Sequence, residues 1–233
     1  MESIDKVSGT FGKRPIEPKA NVSSAVIRRL PRYHRCLGDL LRDGKLRISS
    51  AELSAIMDIT ASQIRQDLNC FGGFGQQGYG YNIKFLYNKI SELLGVNESY
   101  NAVIIGAGKL GRALAATHMF ERRGVNRLAM FDVDPTVIGT RIYDVPVYSV
   151  DQLGDFCREH NVHIGVLTVP KEAAYDVASI ITEAGVKGIW NFANMELKLD
   201  NPDVIVENIH LGDSLMTLCY EIKTANEKRE KDE

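Results

Sequence analysis

The 233 residues predict an α/β protein in two parts, a small helical unit followed by a doubly wound parallel sheet, on three observations. An apolar run, Ala102-Val103-Ile104-Ile105, meets Gly106-Ala107-Gly108-Lys109-Leu110-Gly111, and a second apolar run, Leu128 to Phe131, ends on Asp132. Strand and helix patterns then alternate as far as Trp190, an order that folds into a parallel sheet with right-handed crossovers. The segment ahead of the glycines reads differently, as short helical stretches, a basic bias and a run of glycines interleaved with aromatics.

The length is enough for two modest cores, and the shift in composition favours two. A net charge of -2 and 44% hydrophobic content describe an ordinary soluble chain, yet the charge is uneven. Between Ala20 and Ile48 there are seven bases and two acids, net +5. Such a bias points towards a polyanion, although a basic stretch by itself is more often a solvated face.

Residues 1–19, with Gly9, Gly12, Pro15 and Pro18, lack apolar periodicity and are read as a flexible arm. Helical periodicity begins near Ser23 and Ser24, and Pro31 is expected to open a longer helix through Leu41. Its stripe is Tyr33, Leu37, Leu40 and Leu41, and Gly44 ends it. Ser49 and Glu52, three apart, form a capping box for a second helix that starts at Ile48-Ser49-Ser50. A short turn around Asp58 leads to a third helix, Ala61 to Asn69, capped by Thr60 or Ser62 and offering Ser62, Gln63, Arg65 and Gln66 on its exposed face. Three short helices behind a basic lead-in make a helix-turn-helix unit. The segment Phe71 to Tyr81 then reads as a hairpin, or wing, whose glycines, Gly78 among them, give a tip slim enough for a minor groove. A flexible glycine-rich linker is the alternative. Residues 20–82 are thus a winged-helix domain, and 83–98, with Ile83, Leu86, Ile90, Leu93 and Leu94, a linker helix.

Residues 99–208 are expected to form a Rossmann-like domain. In GxGxxG the first glycine turns strand into helix, the second lets backbone approach a pyrophosphate, and the third lets helix and sheet pack closely. The helix N-terminus receives the anion, and an acid about twenty residues on, Asp132, holds ribose hydroxyls. The elements that follow are a helix to Phe120, a strand to Phe131, a loop with Pro135 and Gly139, and a helix from Val150 to His160. A strand from Val162 to Val169, a helix over 171–184 and a strand from Val186 to Trp190 complete the alternation. Ligand groups should come from carboxyl ends of strands, which nominates Thr168-Val169-Pro170 and Asn191-Phe192-Ala193, either as contacts or as plain strand terminators. A short strand near Val204 to Val206 and a helix from Ile209 to Ala225 remain, with a charged tail that should fray from Asn226. The apolar Ile209, Leu211, Leu215, Leu218, Cys219 and Ile222 exceed what so small a subdomain buries, so residues 209–226 are read as a helix that docks on another subunit.

No run approaches the eighteen apolar residues of a membrane span and the N-terminus has no signal core, so a cytoplasmic protein without a membrane partner is expected. Cys36, Cys70, Cys157 and Cys219 are scattered, which reads as buried reduced thiols and no metal. A dehydrogenase would need a second substrate domain or a clear acid/base. His118, His160, His163 and His210 have no carboxylate at a motif spacing, so no residue is nominated as catalytic and no enzyme is expected. An NAD-dependent oxidoreductase, marked by turnover of NADH, and a CoA-binding subunit, marked by preference for CoA, stay as alternatives that share the sheet.

Leu30-Pro31-Arg32-Tyr33, Ile48-Ser49-Ser50, Gln63-Ile64-Arg65-Gln66-Asp67-Leu68, Cys70-Phe71-Gly72 to Tyr81, the glycine loop with Phe131-Asp132-Val133-Asp134, Leu167-Thr168-Val169-Pro170 and Asn191-Phe192-Ala193 resemble the Rex family of redox-sensing transcriptional repressors, over about residues 20–224. The resemblance implies a homodimer whose winged helices read a palindromic operator in double-stranded DNA. It also implies nucleotide domains that sense NADH against NAD+, a C-terminal helix swapped between subunits, and release from DNA by NADH. It carries Arg65 and Gln66 to base edges, Arg29, Ser49 and Ser50 to phosphates, and Gln76 and Gln77 to the wing tip. It carries Gly106 to Gly111 to the pyrophosphate and Asp132 to the adenosine ribose, with a charge that disfavours NADP. This sequence also departs from the family pattern. Glutamine stands at position 66, where many members have lysine. Thr117 replaces a tyrosine, His210 an aspartate opening the swapped helix, and Leu211 a phenylalanine that some members place against the nicotinamide. These last three positions are expected to alter the redox switch, with pH dependence through His210.

Overall fold

A computed structural model describes residues 22–72, 75–76 and 80–232. The expectations for the 1–19 arm, and for Gln77 and Gly78 at the wing tip, lie outside the described residues. The chain divides into two compact units, Met1–Val96 and Asn97–Glu233.

In the first unit, helix α1 (Ser24–Arg42) is capped by Ser23, whose hydroxyl accepts the Val26 N–H, and buries Val26, Leu30, Tyr33 and Leu37. Pro31 lies inside this helix and does not open it. Proline deprives the Ile27 carbonyl of its helical donor, but Val26 and Leu30 ahead of it join the same core stripe, and that packing carries the helix through. Strand β1 (Arg47–Ile48), absent from the sequence reading, precedes helix α2 (Ser50–Met57), which Ser49 caps with the expected box to Glu52. Asp58 makes the turn in a left-handed conformation, φ 53°. Helix α3 (Ala61–Asn69) follows with Thr60 as its cap. Strands β2 (Gly75–Gln76) and β3 (Gly80–Asn82) pair antiparallel, and β3 also pairs with β1, so the order is β1-β3-β2. Gly80 is required here: φ is +67°, and a Cβ would lie 2.6 Å from the Ile48 carbonyl oxygen. Helix α4 (Ile83–Leu93), expected as a linker, belongs to the core of this unit. Ile83, Leu86 and Ile90 are fully buried and join Tyr33 and Leu37 of α1 in one apolar cluster.

In the second unit, seven strands form one sheet. They are β4 (Tyr100–Ile105), β5 (Val125–Asp132), β6 (Arg141–Ile142), β7 (Val145–Ser149), β8 (Ile164–Leu167), β9 (Gly188–Asn191) and β10 (Ile205–Asn208). Their order is β10-β9-β8-β4-β5-β7-β6, and every pairing is parallel except that of β6 with β7. The order reverses between β4 and β8, which places a crevice at their carboxyl ends. Helices α6 (Leu153–Glu159) and α7 (Lys171–Glu183) cover one face, packing Leu153, Cys157, Val177 and Ile181 on Val103, Phe131 and Leu167. Helix α5 (Lys109–Ala115) lies on the other face.

Helix α5, the loop after β5 and the C-terminal helix of this unit also differ from the sequence reading. Helix α5 stops at Ala115 instead of Phe120: the Thr117 hydroxyl donates to the Leu114 carbonyl and the Arg127 guanidinium takes the Ala115 carbonyl, two bonds that replace the helical ladder. The loop expected around Pro135 and Gly139 contains the β6–β7 hairpin, turned by Tyr143 and Asp144, both at positive φ (47° and 65°). Helix α8 (Leu211–Asp232) runs on through the tail expected to fray. Of the cysteines, Cys157 is buried, Cys36 and Cys70 are half-buried, and Cys219 is exposed on α8, against the expectation of four buried thiols. Among the described residues no helix is long and apolar enough to cross a membrane, and no group of three His, Cys, Asp or Glu is placed to hold a metal.

Candidate dinucleotide cleft and nucleic-acid interface

The glycine loop occupies the crevice. Gly106 has φ +101° and its N–H donates to the Phe131 carbonyl, and a Cβ there would lie 2.6 Å from the Thr168 carbonyl oxygen. At Gly111 a Cβ would lie 1.9 Å from the Gly106 carbonyl oxygen. At Gly108 it would meet nothing within 4 Å. The first and third glycines are therefore demanded by the protein itself, whereas the second borders open space, as a site for a bulky anion requires. Thr168 bridges the two halves, its hydroxyl directed at the Ile105 and Gly106 carbonyls at 3.0 and 2.9 Å.

A cavity of about 370 Å³ opens here, with Gly106, Gly108, Asp132, Val133, Thr168 and Pro170 among its lining. The Asp132 carboxylate is held in place by the backbone, accepting the Ala107 N–H at 2.5 Å on one oxygen and the Asp134 N–H at 2.9 Å on the other. Val133 is 78% exposed, an apolar surface beside that acid. Val169 also lines the cavity, Lys109 is exposed and Leu110 half-buried. The Asp134 side chain serves its own loop by accepting the Thr136 N–H and hydroxyl, and these bonds hold its carboxyl below the usual range.

The second nominated segment does not line this cavity. Asn191 is fully buried and its amide is saturated, donating to the Met195 carbonyl and the Asn208 side chain and accepting the Ala193 N–H. Ala193 is buried, and Phe192 packs edge-on against Trp190, with centroids 4.6 Å apart. Asn191 thus clasps the carboxyl ends of β9 and β10 together.

The three switch positions have separate surroundings. Thr117 lies beyond α5 and bonds Leu114. His210, just ahead of α8, has Nε2 3.0 Å from Glu196 Oε2, and that bond holds the Glu196 carboxyl below its usual range. Sequence spacing missed this partner, because only the fold of the loop after β9 brings Glu196 to His210. Leu211 is 65% exposed.

On the first unit Ser62, Arg65 and Gln66 are exposed along α3, and Arg65 reaches back to the Ser50 hydroxyl at 3.1 Å. The Ser49 hydroxyl is engaged in the capping box. Its partner Glu52 also receives Lys45, and the Lys45 bond, followed by those from Ser49, brings the Glu52 carboxyl to about 2. Arg29 and Gln63, nominated for DNA, point inward to Asp67. Burial pushes the Asp67 carboxyl up, but bonds from Arg29, Gln63 and Tyr33 outweigh it and leave the group below the usual range. The signal for Asp67 was present in the sequence as an acid on the apolar face of Ile64 and Leu68. Only the backbone of Gln76, in β2, is described.

A second cavity, of about 550 Å³, lies on the sheet face left bare because residues 192–204 join β9 to β10 without a helix. Met119, Phe120, Ile164, Trp190 and the 74%-exposed Ile205 line it. Leu215, Met216, Leu218 and Ile222 of α8 are likewise exposed, each half or more.

Comparison with known proteins gives two family matches: a CoA binding domain over residues 97–195 and a putative DNA-binding protein N-terminus over residues 21–69. The redox-sensing transcriptional repressor Rex of Caldanaerobacter subterraneus subsp. tengcongensis is 52% identical over 204 residues, 88% of this chain and 91% of that one. The Rex of Clostridium novyi is 52% identical over 206 residues, covering 88% and 97%. Among solved structures, RSP in complex with β-NAD+ and operator DNA superposes with TM-score 0.83 at 50% identity, over 92% of this chain and 99% of that one. RSP in complex with β-NADH gives 0.83 at 47% identity, over 91% and 99%.

Proposed function

The chain belongs to the Rex family of redox-sensing transcriptional repressors, and on that premise we propose that it occupies a palindromic operator as a homodimer and leaves it when NADH enters the glycine cleft. It is a DNA-binding regulator and not an enzyme, and its ligand is the nicotinamide dinucleotide. The observation that carries the ligand reading is the contrast between Gly106 and Gly111, which the protein fills, and Gly108, which it leaves open beside a fixed Asp132. Asp132 takes the adenosine ribose in this reading, and its charge opposes a 2′-phosphate.

On the DNA side, Arg65 suits guanine and Gln66 suits adenine, with Ser50 beside the phosphates. The exposed apolar stripe of α8 and the bare sheet face support a dimer in which each α8 covers the other subunit's sheet. Release of DNA by NADH is linkage: NADH must bind the geometry that does not fit the operator better, and DNA must weaken NADH by the same factor. A coupling of about 1–3 kcal/mol is ordinary. A regulator with an altered redox response is favoured by one observation, the His210–Glu196 pair standing where the family places an aspartate. Binding to DNA supports a location in the cytoplasm or nucleoid.

The test is fluorescence anisotropy on a palindromic Rex-type operator at fixed salt, with NADH, NAD+, CoA or no ligand. Selective release by NADH is expected. Binding indifferent to NADH leaves the regulator without its redox switch, release by CoA alone reassigns the cleft, and absence of operator preference removes the reading.

A further inference from the structure

Asp67 is a carboxylate with no exposed surface on a helix whose other face is turned to solvent. One of its oxygens accepts Arg29 Nη2 and Gln63 Nε2, both at 2.8 Å, and the other accepts Arg29 Nε at 2.6 Å and the Tyr33 hydroxyl at 2.9 Å. The carboxylate's hydrogen-bonding capacity is thus taken up by α1 and α3. We infer that Asp67, Arg29 and Gln63 are positioning residues that set the register of α3 on DNA, and that Arg29 and Gln63 act through Asp67 without touching the duplex. This rests on the DNA-binding reading above.

The geometry makes the knot a register device. Two parallel bonds from one planar guanidinium fix both distance and orientation, so sliding or rotating α3 against α1 breaks both together and strands a buried charge. Gln63 ties the same carboxylate one turn earlier on α3. With that side clamped, Ser62, Arg65 and Gln66 are presented on the opposite side in one fixed arrangement. The charges sort likewise. Arg29 faces a carboxylate and forms a neutral pair, whereas Arg65, among the described residues, bonds a hydroxyl at Ser50 and keeps its charge for an anion. Counterion release on DNA binding therefore counts Arg65 but not Arg29.

The experiment uses the full chain and anisotropy on the operator and on a scrambled duplex of equal length, over a series of salt concentrations. For Arg29→Gln, operator affinity is expected to fall about tenfold or more, the size of one lost base readout, while scrambled-duplex affinity stays within about twofold and the slope of log K against log salt does not change. Equal weakening on both duplexes, with the slope reduced by about 0.9, would make Arg29 a phosphate contact and overturn the inference. Unchanged affinity for both would overturn it too. Should Arg29→Gln lose its cooperative melt, Asp67→Asn gives the opposite sign: it frees the Arg29 charge, so the slope steepens while preference for the operator falls, and retained preference refutes the positioning role. If the wild-type chain itself does not distinguish operator from scrambled DNA, the regulator reading fails, an outcome separate from these.

Discussion

Replacing Gly108 by alanine should separate ligand binding from folding. A Cβ at this position meets no protein atom within 4 Å, and φ -74° with ψ -167° is open to alanine. Gly108 is the N-cap of α5, where alanine is the poorer residue by about 0.5–1 kcal/mol, but alanine also restricts the unfolded chain and returns about 0.4–1 kcal/mol. The two nearly cancel, so the melting temperature should stay within about 3 °C of wild type. The methyl group does protrude into the space assigned to the pyrophosphate. Losing one charge-assisted bond to a phosphate oxygen costs about 1.5–3 kcal/mol, so NADH should bind roughly ten- to hundredfold more weakly. Titration calorimetry with NADH and a thermal melt without ligand measure the two quantities. Wild-type affinity in a folded Gly108→Ala protein would refute the placement of the pyrophosphate. Gly111→Ala is the control: its Cβ would sit 1.9 Å from the Gly106 carbonyl oxygen, so that variant should not form a stable second unit.

Asp132→Ala removes the charge that opposes a 2′-phosphate and should shift the NADPH/NADH affinity ratio upward by about tenfold, measured by competition; an unmoved ratio excludes Asp132 from the ribose. Leu215→Glu on α8 should give a monomer by sedimentation and a red-shifted emission from Trp190, the single tryptophan, as the sheet face it lines is exposed to water; an intact dimer contradicts the swap. The folded Asp67 carboxyl lies below its ordinary value of 3.8, so its stabilising contribution is complete above that pH and is lost as pH falls through the folded value. Below about pH 4 the wild type should therefore lose stability more steeply than Asp67→Asn, and parallel acid limbs would count against the buried ion pair. His210→Ala removes the partner of Glu196 and should change the NADH concentration that half-empties the operator; a midpoint equal to wild type removes His210 from the switch.

Elements whose cause is local were legible in the sequence. The Ser49–Glu52 box, the Thr60 cap, the turn at Asp58 and the strand–glycine–helix unit at 100–115 each follow from residues a few positions apart. What escaped depended on distant partners. Strand β1 exists because β3 returns to pair with it, α4 is core because α1 offers Tyr33 and Leu37, and the β6–β7 turn uses Tyr143-Asp144 where such turns usually carry glycine. The cleft followed the same rule. Gly106, Gly108, Gly111, Asp132 and Thr168 come together at the crevice, while Asn191 bonds Asn208 and Met195, and Arg29 bonds Asp67. A polar residue does not declare in sequence whether its partner is a ligand or a buried group of its own chain.

If the chain dimerises as proposed, the helix missing between β9 and β10 makes assembly part of folding. In the proposed dimer the layer that closes Trp190, Ile164 and Ile205 from water arrives with a second chain, so the free energy of the folded state carries a concentration term. Each tenfold rise in protein adds about 1.4 kcal/mol per dimer. Melting temperature should then climb with protein concentration, and the slow step of refolding should be second order. Where subunits only begin to pair, operator occupancy rises faster than copy number, so the amount of repressor made is itself a control on the genes it silences.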